Sequence, residues 1–465
     1  MKSRLFRTLS CTLVALFGAL TVPACVGDQA QEQDLTSLTA RERLLTFEGY
    51  VYVHPDASDD DILAAVHHQT RSAFGALLTQ NIAVGTREPA AANPQSFAKE
   101  AVEVLGPQGE VVYETLRVRY RYDDRAVIPK SMSHRGAIPL GLLHGDYPLQ
   151  AARVIAECSA NTKEELEMLD DVWYVFNPSL PSCRKAMDLE QRAIATQRLG
   201  LSQPESQIVE TELDRLYIPM TARLSSPPSS RKTLYPEYDR LFRGGVQPGK
   251  LVISLLAGLI DHSTPKHPVH PADDPGYYEM LDTMNVVLEA HPALKITNTD
   301  PPTDLSTFQV NGKSVTGLRF VDFVNFELYD YGWPAQLSSS ERAILRKLIA
   351  ERLKDRWVTL EEQVEVSIDG GPVKAHTISL QLHFGADEAI GPYRRAIRES
   401  DVFLYNGHSY IGEGPLDPAN YTAADFPQSY QLFFIDSCLS FNYYNSDYFR
   451  FKQRGTKDLD VITNA

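Results

Sequence analysis

The sequence predicts an α/β fold with a mostly parallel sheet flanked by helices in its C-terminal half, preceded by an α+β region. In the second half, short apolar runs alternate with segments of helical periodicity, as expected of a parallel sheet. These runs are continuous and bounded by turn residues, which is typical of strands buried on both faces. The Ser- and Pro-rich stretch at 225–230 is the clearest linker between the two parts.

The composition is that of an acidic globular protein. The chain has 465 residues, which agrees with two or three domains. Its 43% hydrophobic residues supply ample material for cores, and its formal net charge is −15. A nucleic-acid-binding surface would show basic clustering, so we expect no nucleic-acid partner.

Residues 1–25 have the pattern of a bacterial lipoprotein signal peptide. Lys2, Arg4 and Arg7 precede a short apolar core at 13–22 that cannot span a bilayer as a mature helix. The Ala24-Cys25 pair after this core resembles a lipobox, which implies cleavage before Cys25 and lipidation of its thiol. We therefore expect an exported protein, anchored by lipid in the bacterial outer membrane on its periplasmic or surface face. The alternative is an ordinary secretory signal peptide that is cleaved after a small residue nearby.

Cysteine counting leaves one thiol unassigned. Cys11 is lost with the signal peptide and Cys25 takes the lipid. Cys158 and Cys183 lie close enough in sequence to pair in an oxidising compartment. Cys438 remains, either as an inert buried thiol or as a reactive one.

Residues 26–40 are polar and are expected to be a flexible tether, and residues 41–224 form the predicted α+β domain. Ser58 and the three Asp after it supply cap-type residues for a helix at 62–78. A second helix begins at Thr162, and a connecting helix at 186–199 leads to an extended segment at 208–220. Strands are predicted at 47–53, 81–85, 111–122 and 172–176. The resulting β-α-β-β-α-β order fits a ferredoxin-like sandwich.

After a linker at 225–235, residues 236–465 form the predicted α/β domain. Asn311-Gly312 marks a hairpin. Helices are predicted at 277–290, 338–355, 388–399 and 441–451. Strands are predicted at 251–256, 294–297, 318–329, 364–368, 376–384, 401–405, 432–435 and 459–463.

Three further motifs do not support a function. Residues 244–250 match the G-x-x-x-x-G-K pattern of a phosphate loop. However, Leu251 stands where that loop has the Ser or Thr that binds magnesium, and the segment precedes a strand instead of following one. Residues 407–411 resemble the nucleophile elbow of a serine hydrolase, but no His follows His408. His67 and His68 point about 100° apart on a helix, so they suit surface positions better than one shared ion.

Three His and several carboxylates lie at 261–274. Three prolines make this segment a stiff polar loop rather than a metal site, so no metal and no cofactor are expected. A role in substrate binding stays open because the loop follows a core strand.

His408 and Cys438 each follow a short apolar run. If both runs are parallel strands, both residues reach the carboxyl edge of the sheet, where ligands bind. An imidazole beside a thiol can take its proton and return one to a leaving amine. The alternative is that Cys438 is a buried, inert thiol and that His408 is a loop residue with no functional relation to it.

The blocks Phe-Leu-Tyr-Asn-Gly-His408 and Phe-Phe-Ile-Asp-Ser-Cys438 resemble the His and Cys blocks of caspase-like cysteine peptidases, which include caspases, metacaspases and gingipains. The resemblance implies a caspase-like sheet and a cysteine endopeptidase that acts on a peptide or protein substrate. It makes His408 the general base and acid and Cys438 the nucleophile, with the N–H groups of Ser409 and Cys438 serving the oxyanion. It also implies that Asp436 lines a pocket for Arg or Lys, although Asp436 can instead hydrogen-bond its own turn.

The chain departs from the family at several points. Ser409 stands where the family usually has Gly, and Leu439 where it has a small or polar residue. The sequence stops at a strand that in the family runs on into specificity loops, which implies either a truncated chain or a pared-down fold. The alternative function is therefore a catalytically inactive, caspase-like binding or structural lipoprotein of the cell envelope.

Overall fold

The computed structural model describes residues 39–85, 96–160, 168–201, 204–227, 236–261, 269–368, 370–385, 389–444 and 447–464. The predicted signal peptide with Cys25, nearly all of the tether, the start of the helix at Thr162 and most of the linker lie outside these residues. Within them, no helix combines the length and the apolar character needed to cross a bilayer.

The N-terminal region is a seven-stranded sheet that curls into a half-barrel. Its path runs β5-β7-β1-β4-β3-β6, with β2 paired to β4, and all pairings are antiparallel except β3 with β6. The strands are β1 (Ala40–Val53), β2 (Ala83–Val84), β3 (Ala98–Leu105), β4 (Val111–Pro129), β5 (Ala137–Leu143), β6 (Gln207–Val209) and β7 (Tyr217–Ser225). The helices are α1 (Asp59–Leu78), α2 (Ala151–Cys158), α3 (Val172–Val175), α4 (Pro181–Gln197) and α5 (Glu210–Leu213).

The predicted ferredoxin-like sandwich is wrong. The predicted strand at 172–176 is the short helix α3, and the predicted extended segment at 208–220 contains α5. Packing overrides strand propensity at α3 because Gly75 of α1 lets the backbone of α3 approach closely. A Cβ at Gly75 would lie 2.6 Å from the carbonyl oxygens of Trp173 and Phe176.

A disulfide joins Cys158 to Cys183, and both residues are fully buried. It connects the end of α2 to the beginning of α4 and so encloses the segment that contains α3. The Asn177 N–H also donates to the Cys158 carbonyl at 2.8 Å. The segment that carries α3 is therefore fixed at both ends.

The C-terminal region is a second seven-stranded sheet, with the order β16-β15-β14-β8-β13-β12-β9. The strands from β16 to β13 along this order are parallel to their neighbours, whereas β12 is antiparallel to both β13 and β9. Its strands are β8 (Lys250–Gly258), β9 (Lys295–Asp300), β12 (Arg356–Val366), β13 (Lys374–Gly385), β14 (Val402–Gly407), β15 (Gln431–Ser437) and β16 (Leu459–Thr463). A separate hairpin of β10 (Phe308–Val310) and β11 (Lys313–Val315) confirms the predicted Asn-Gly turn.

Helices cover both faces of this sheet, so the predicted α/β character of the C-terminal half is confirmed. They are α6 (Pro275–Ala290), α7 (Phe320–Tyr329), α8 (Ser339–Leu353), α9 (Ile390–Glu399) and α10 (Ser440–Tyr444). The predicted strand at 318–329 is wrong, because Phe320, Phe323, Val324 and Phe326 are buried at helical spacing and form α7. The helix predicted at 441–451 is also interrupted, since a 3-10 turn, Asp447–Phe451, follows α10.

The two regions share a hydrophobic core. One cluster of buried side chains contains Phe74 and Trp173 from the first region and Phe433 and Tyr444 from the second. This joint core lies beside the ends of β14 and β15, where the candidate site begins.

Candidate active site

The register of the sheet brings His408 and Cys438 to the same edge. Gly407 of β14 and Ser437 of β15 are paired residues in neighbouring parallel strands, and His408 and Cys438 come directly after them. Neighbouring strands lie about 4.8 Å apart, so the two residues leave the sheet one strand spacing from each other.

This edge is also the switch point of the sheet. After β8 the chain forms β9, β12 and β13 on one side of β8, whereas from β14 it goes to β15 on the other side, and β8 and β14 are neighbours. In open α/β sheets, ligands bind in the crevice at such a point, beyond the carboxyl ends of the strands.

The His408 ring is fixed by the loop that follows β8. Its Nε2 atom lies 2.7 Å from the carbonyl oxygen of Ile260. Because a carbonyl can only accept, Nε2 must carry the hydrogen, and in the neutral ring Nδ1 then holds the lone pair. Nδ1 is therefore the nitrogen that can take up a proton.

The Asp274 carboxylate holds the Ile260 loop in turn. Its oxygens accept from the N–H groups of Ile260 and Asp261, both at 3.0 Å, and from that of Gly276 at 2.8 Å. Asp274 is buried and is the N-cap of α6. This role was not predicted from the sequence, although Asp followed by Pro is a typical start of a helix.

Gly276 permits the close approach of α6 to β8. A Cβ at this position would lie 2.1 Å from the Gly258 carbonyl oxygen. The first turn of α6 thus packs directly on the end of β8, where the Ile260 loop begins.

Cys438 is a free, exposed thiol. Leu439 after it has a φ of 53°, and Tyr410 and Ile411 in the His408 loop have φ values of 49° and 52°. A left-handed conformation costs a residue with a Cβ about 1–2 kcal/mol. Strain of this kind concentrates at functional sites, where the surrounding contacts maintain it.

The turn after Cys438 is held by Asn464. The Asn464 Oδ1 atom accepts from the Ser440 N–H at 3.1 Å and from the Ser440 hydroxyl at 2.7 Å. The Asn464 side-chain N–H also donates to Asp436 Oδ1 at 3.1 Å. Asp436 is exposed and lies on the same edge as Cys438.

Ser409 connects the two loops through its backbone. Its carbonyl oxygen accepts from the Gly412 N–H at 2.8 Å and from the hydroxyl of buried Tyr444 in α10. The loop that carries His408 and the helix that follows Cys438 are thus joined by a hydrogen bond.

Of the histidines at 261–274, His270 holds a structural position. His270 Nδ1 accepts from the Ala272 N–H at 3.1 Å, and Nε2 lies 3.0 Å from Glu351. His262 and His267 lie outside the described residues. His67 and His68 are half-buried rather than on the open surface, and His68 Nδ1 contacts the Gly145 carbonyl at 3.0 Å. In the part of the chain that is described, no group of three or more His, Cys, Asp or Glu residues could hold a metal ion.

The N-terminal region also reaches this edge. Burial raises the pKa of Tyr174 in α3, and the charge of the Cys438 thiolate raises it further. The sequence contains no local signal for this interaction, because Tyr174 belongs to α3 of the N-terminal region and Cys438 follows β15 of the C-terminal sheet. A comparison of the chain with protein-family models, with curated proteins and with solved structures finds no match.

Proposed function

We propose that the protein is a cysteine endopeptidase of caspase-like architecture. The observation that carries the proposal is the paired register of β14 and β15, which brings His408 and Cys438 to one edge beside the Ile260 carbonyl. A nucleophile, a base and a group that orients the base are the parts required for activated thiol chemistry.

His408 and Cys438 have complementary roles in the proposed reaction. His408 Nδ1 takes the thiol proton, and the Cys438 thiolate attacks the carbonyl carbon of the peptide bond. The C–N bond then breaks, and the amine leaves with the proton from His408. Water, activated by the same ring, attacks the thioester, releases the acid and restores the thiol. Backbone N–H groups of Ser409 and Cys438 are the proposed donors to the oxyanion.

The strand order supports the caspase-like part of the proposal. Across the sheet the parallel strands stand in the order β13, β8, β14, β15 and β16, which are the second, first, third, fourth and fifth along the chain, and the His and Cys follow the third and fourth. This agrees with a family in which one apolar strand ends in the His and a later one in the Cys.

We also propose a preference for Arg or Lys before the cleaved bond. The exposed Asp436 carboxylate lies two residues before Cys438 and supplies a negative charge at the mouth of the site. Its contact with Asn464 engages one carboxylate oxygen, and the other can accept from a cationic side chain.

The test is covalent labelling. The wild-type protein and the variants Cys438→Ala and His408→Ala are treated with a lysyl acyloxymethyl-ketone probe, and the modified residue is identified by mass spectrometry. We expect labelling at Cys438, abolished in Cys438→Ala and slowed about 100-fold or more in His408→Ala, because general base catalysis contributes 10²–10⁴-fold. Equal labelling of Cys438→Ala and wild type would refute the proposal.

The second candidate is a binding lipoprotein without catalysis. It is favoured by the side chains after Cys438, since Phe441, Tyr443 and Tyr444 of α10 are buried in the core rather than lining an open pocket. For this candidate, the acyloxymethyl-ketone probe reacts with Cys438 no faster than with a small-molecule thiol.

We further propose that the protein is exported and lipid-anchored through Cys25. A single acyl chain binds membranes only marginally, whereas two or more chains give stable anchoring. The variant Cys25→Ser is expected to move from the membrane fraction to the soluble fraction of the cell envelope. Retention of this variant in the membrane fraction would contradict the anchor.

A further inference from the structure

The Asn464 side chain bridges the turn that carries Cys438. Its Nδ2 atom donates to Asp436 Oδ1 at 3.1 Å, and its Oδ1 atom accepts from the Ser440 N–H, also at 3.1 Å. Asn464 thus binds the chain two positions before and two positions after the proposed nucleophile. Because both hydrogen bonds use one planar amide, the donor half and the acceptor half hold each other in place.

The register of the sheet explains why Asn464 lies beside Asp436. Ile435 of β15 is paired with Thr463 of β16, and Asp436 and Asn464 come directly after this pair in the two parallel strands. Side chains at matching positions of neighbouring strands lie on the same face of a sheet. The bridge is therefore formed at the edge where Cys438 leaves β15.

Ser440 anchors the other side of the turn. It is fully buried, and its hydroxyl lies 2.7 Å from the Ile435 carbonyl oxygen and accepts from the Asn464 backbone N–H at 2.9 Å. The Phe441 N–H donates to the Asn464 carbonyl oxygen at 2.8 Å. Both the main chain and the side chain of Asn464 are therefore bound to the segment that follows Cys438.

The backbone between these two contacts is strained. Leu439 has a φ of 53°, and a left-handed conformation costs a residue with a Cβ about 1–2 kcal/mol. Such a conformation persists only where the surrounding contacts maintain it. Asn464 binds on both sides of Leu439, so its contacts oppose a relaxation that would move the Cys438 thiol and N–H.

Building on the proposed peptidase function, we propose that Asn464 is a positioning residue for Cys438. Its bridge from Asp436 to Ser440 holds the thiol and the Cys438 N–H in the arrangement that a substrate carbonyl requires. Asn464 acts through the backbone of the turn and does not touch the substrate. A misplacement of about 1 Å at a reacting group can cost about 100-fold in rate. A substrate-like molecule should therefore depend on the bridge far more than a small alkylating agent does.

The test uses the full chain and two reagents that react with Cys438. A norleucyl acyloxymethyl-ketone probe resembles a substrate but carries no charge, so its reaction does not depend on recognition by the Asp436 carboxylate. Iodoacetamide reports on the thiolate alone. The ratio of the two labelling rates, together with the melting temperature, is measured for each variant.

Three changes separate the parts of the bridge. Asn464→Ala removes both hydrogen bonds of the side chain, whereas Asn464→Asp has nearly the same shape but places two carboxylates against each other. Combining Asn464→Asp with Asp436→Asn exchanges donor and acceptor and restores the hydrogen bond between the two positions. The matched control is Asn285→Ala, which removes a 2.8 Å hydrogen bond to the Tyr329 hydroxyl in the C-terminal half of α6.

We expect Asn464→Ala and Asn464→Asp to react with the probe about 10- to 100-fold more slowly, with iodoacetamide rates within about threefold of the wild type. The double variant should regain a probe rate close to that of the wild type, and Asn285→Ala should match the wild type with both reagents. A merely stabilising residue would lower the melting temperature and leave the ratio of the two rates unchanged.

Three outcomes overturn the inference. An unchanged ratio in Asn464→Ala would remove the positioning role and leave the peptidase proposal standing. If Asn464→Ala does not fold, Asn464→Asp and the double variant decide, and a double variant that stays as slow as Asn464→Asp would show that the bridge is not the cause. Equal probe labelling of Cys438→Ala and wild type would refute the peptidase proposal, and this inference with it.

Discussion

His383 shows how burial of one residue couples stability to pH. It is only 7% exposed and packs beside Trp357, with ring centroids 5.0 Å apart. Burial lowers its pKa from 6.5 to about 4; the Arg395 charge lowers it further and that of Asp355 opposes the shift. The folded protein therefore keeps a neutral ring under conditions in which the unfolded chain is already protonated.

The sign of the pH dependence follows from proton counting. Between pH 6.5 and about 4 the unfolded chain binds more protons at this residue, so the free energy of unfolding falls as the pH is lowered. The total loss is about 3 kcal/mol, at 1.36 kcal/mol per pKa unit. Urea unfolding at pH 7 and pH 4 measures most of it, and His383→Gln should show a smaller loss than the wild type. An equal loss in the exposed control His54→Gln and in His383→Gln would contradict this assignment.

Among the helices, α6 has a second role at its N-terminus. The Asp274 carboxylate caps α6 and also holds the N–H groups of Ile260 and Asp261. The Ile260 carbonyl in turn accepts from His408 Nε2. The N-terminus of α6 thus positions the imidazole of His408, which lies in a separate loop.

We predict that Asp274→Ala loses about 3 kcal/mol of stability, since it removes a helix cap and two further hydrogen bonds, each of which contributes about 1 kcal/mol. It should also slow labelling of Cys438 by the acyloxymethyl-ketone probe, because the Ile260 carbonyl no longer fixes the base. The matched control is Ser338→Ala, which removes the N-cap of α8 away from the site. Thermal denaturation measures the loss of stability, and the labelling rate measures the effect on the positioning of His408. If Asp274→Ala labels at the wild-type rate, Asp274 has no positioning role.

At the scale of the whole molecule, local sequence signals predicted one half better than the other. In the C-terminal half the parallel strands are short, continuous apolar runs such as that of β14, and these runs located the strands and the edge with His408 and Cys438. In the N-terminal sheet, β1 pairs with β7 and β4, which lie far apart in sequence, and no local pattern specifies such partners.

Some residues of the candidate site were not predicted from the sequence, and the reason is the same. Asp274 and Ile260 acquire their roles only through contacts between separate elements. The predicted strand at 172–176 failed because Gly75, about a hundred residues earlier, admits a helical backbone there. The residue types in a sequence indicate which side chains are reactive, whereas tertiary packing determines which other groups contact them.

The packing of α1 on α10 has a consequence for the order of folding. The Asn442 side chain donates to the Val84 carbonyl across a sequence separation of 358 residues, and Phe74 meets Tyr443 across a similar distance. During synthesis, the side of Phe74 that stacks on Tyr443 therefore stays uncovered until α10 has emerged. Contacts of such high sequence separation form late and slow the folding of the whole chain. The loops that carry His408 and Cys438 thus reach their final arrangement only when α1 meets α10.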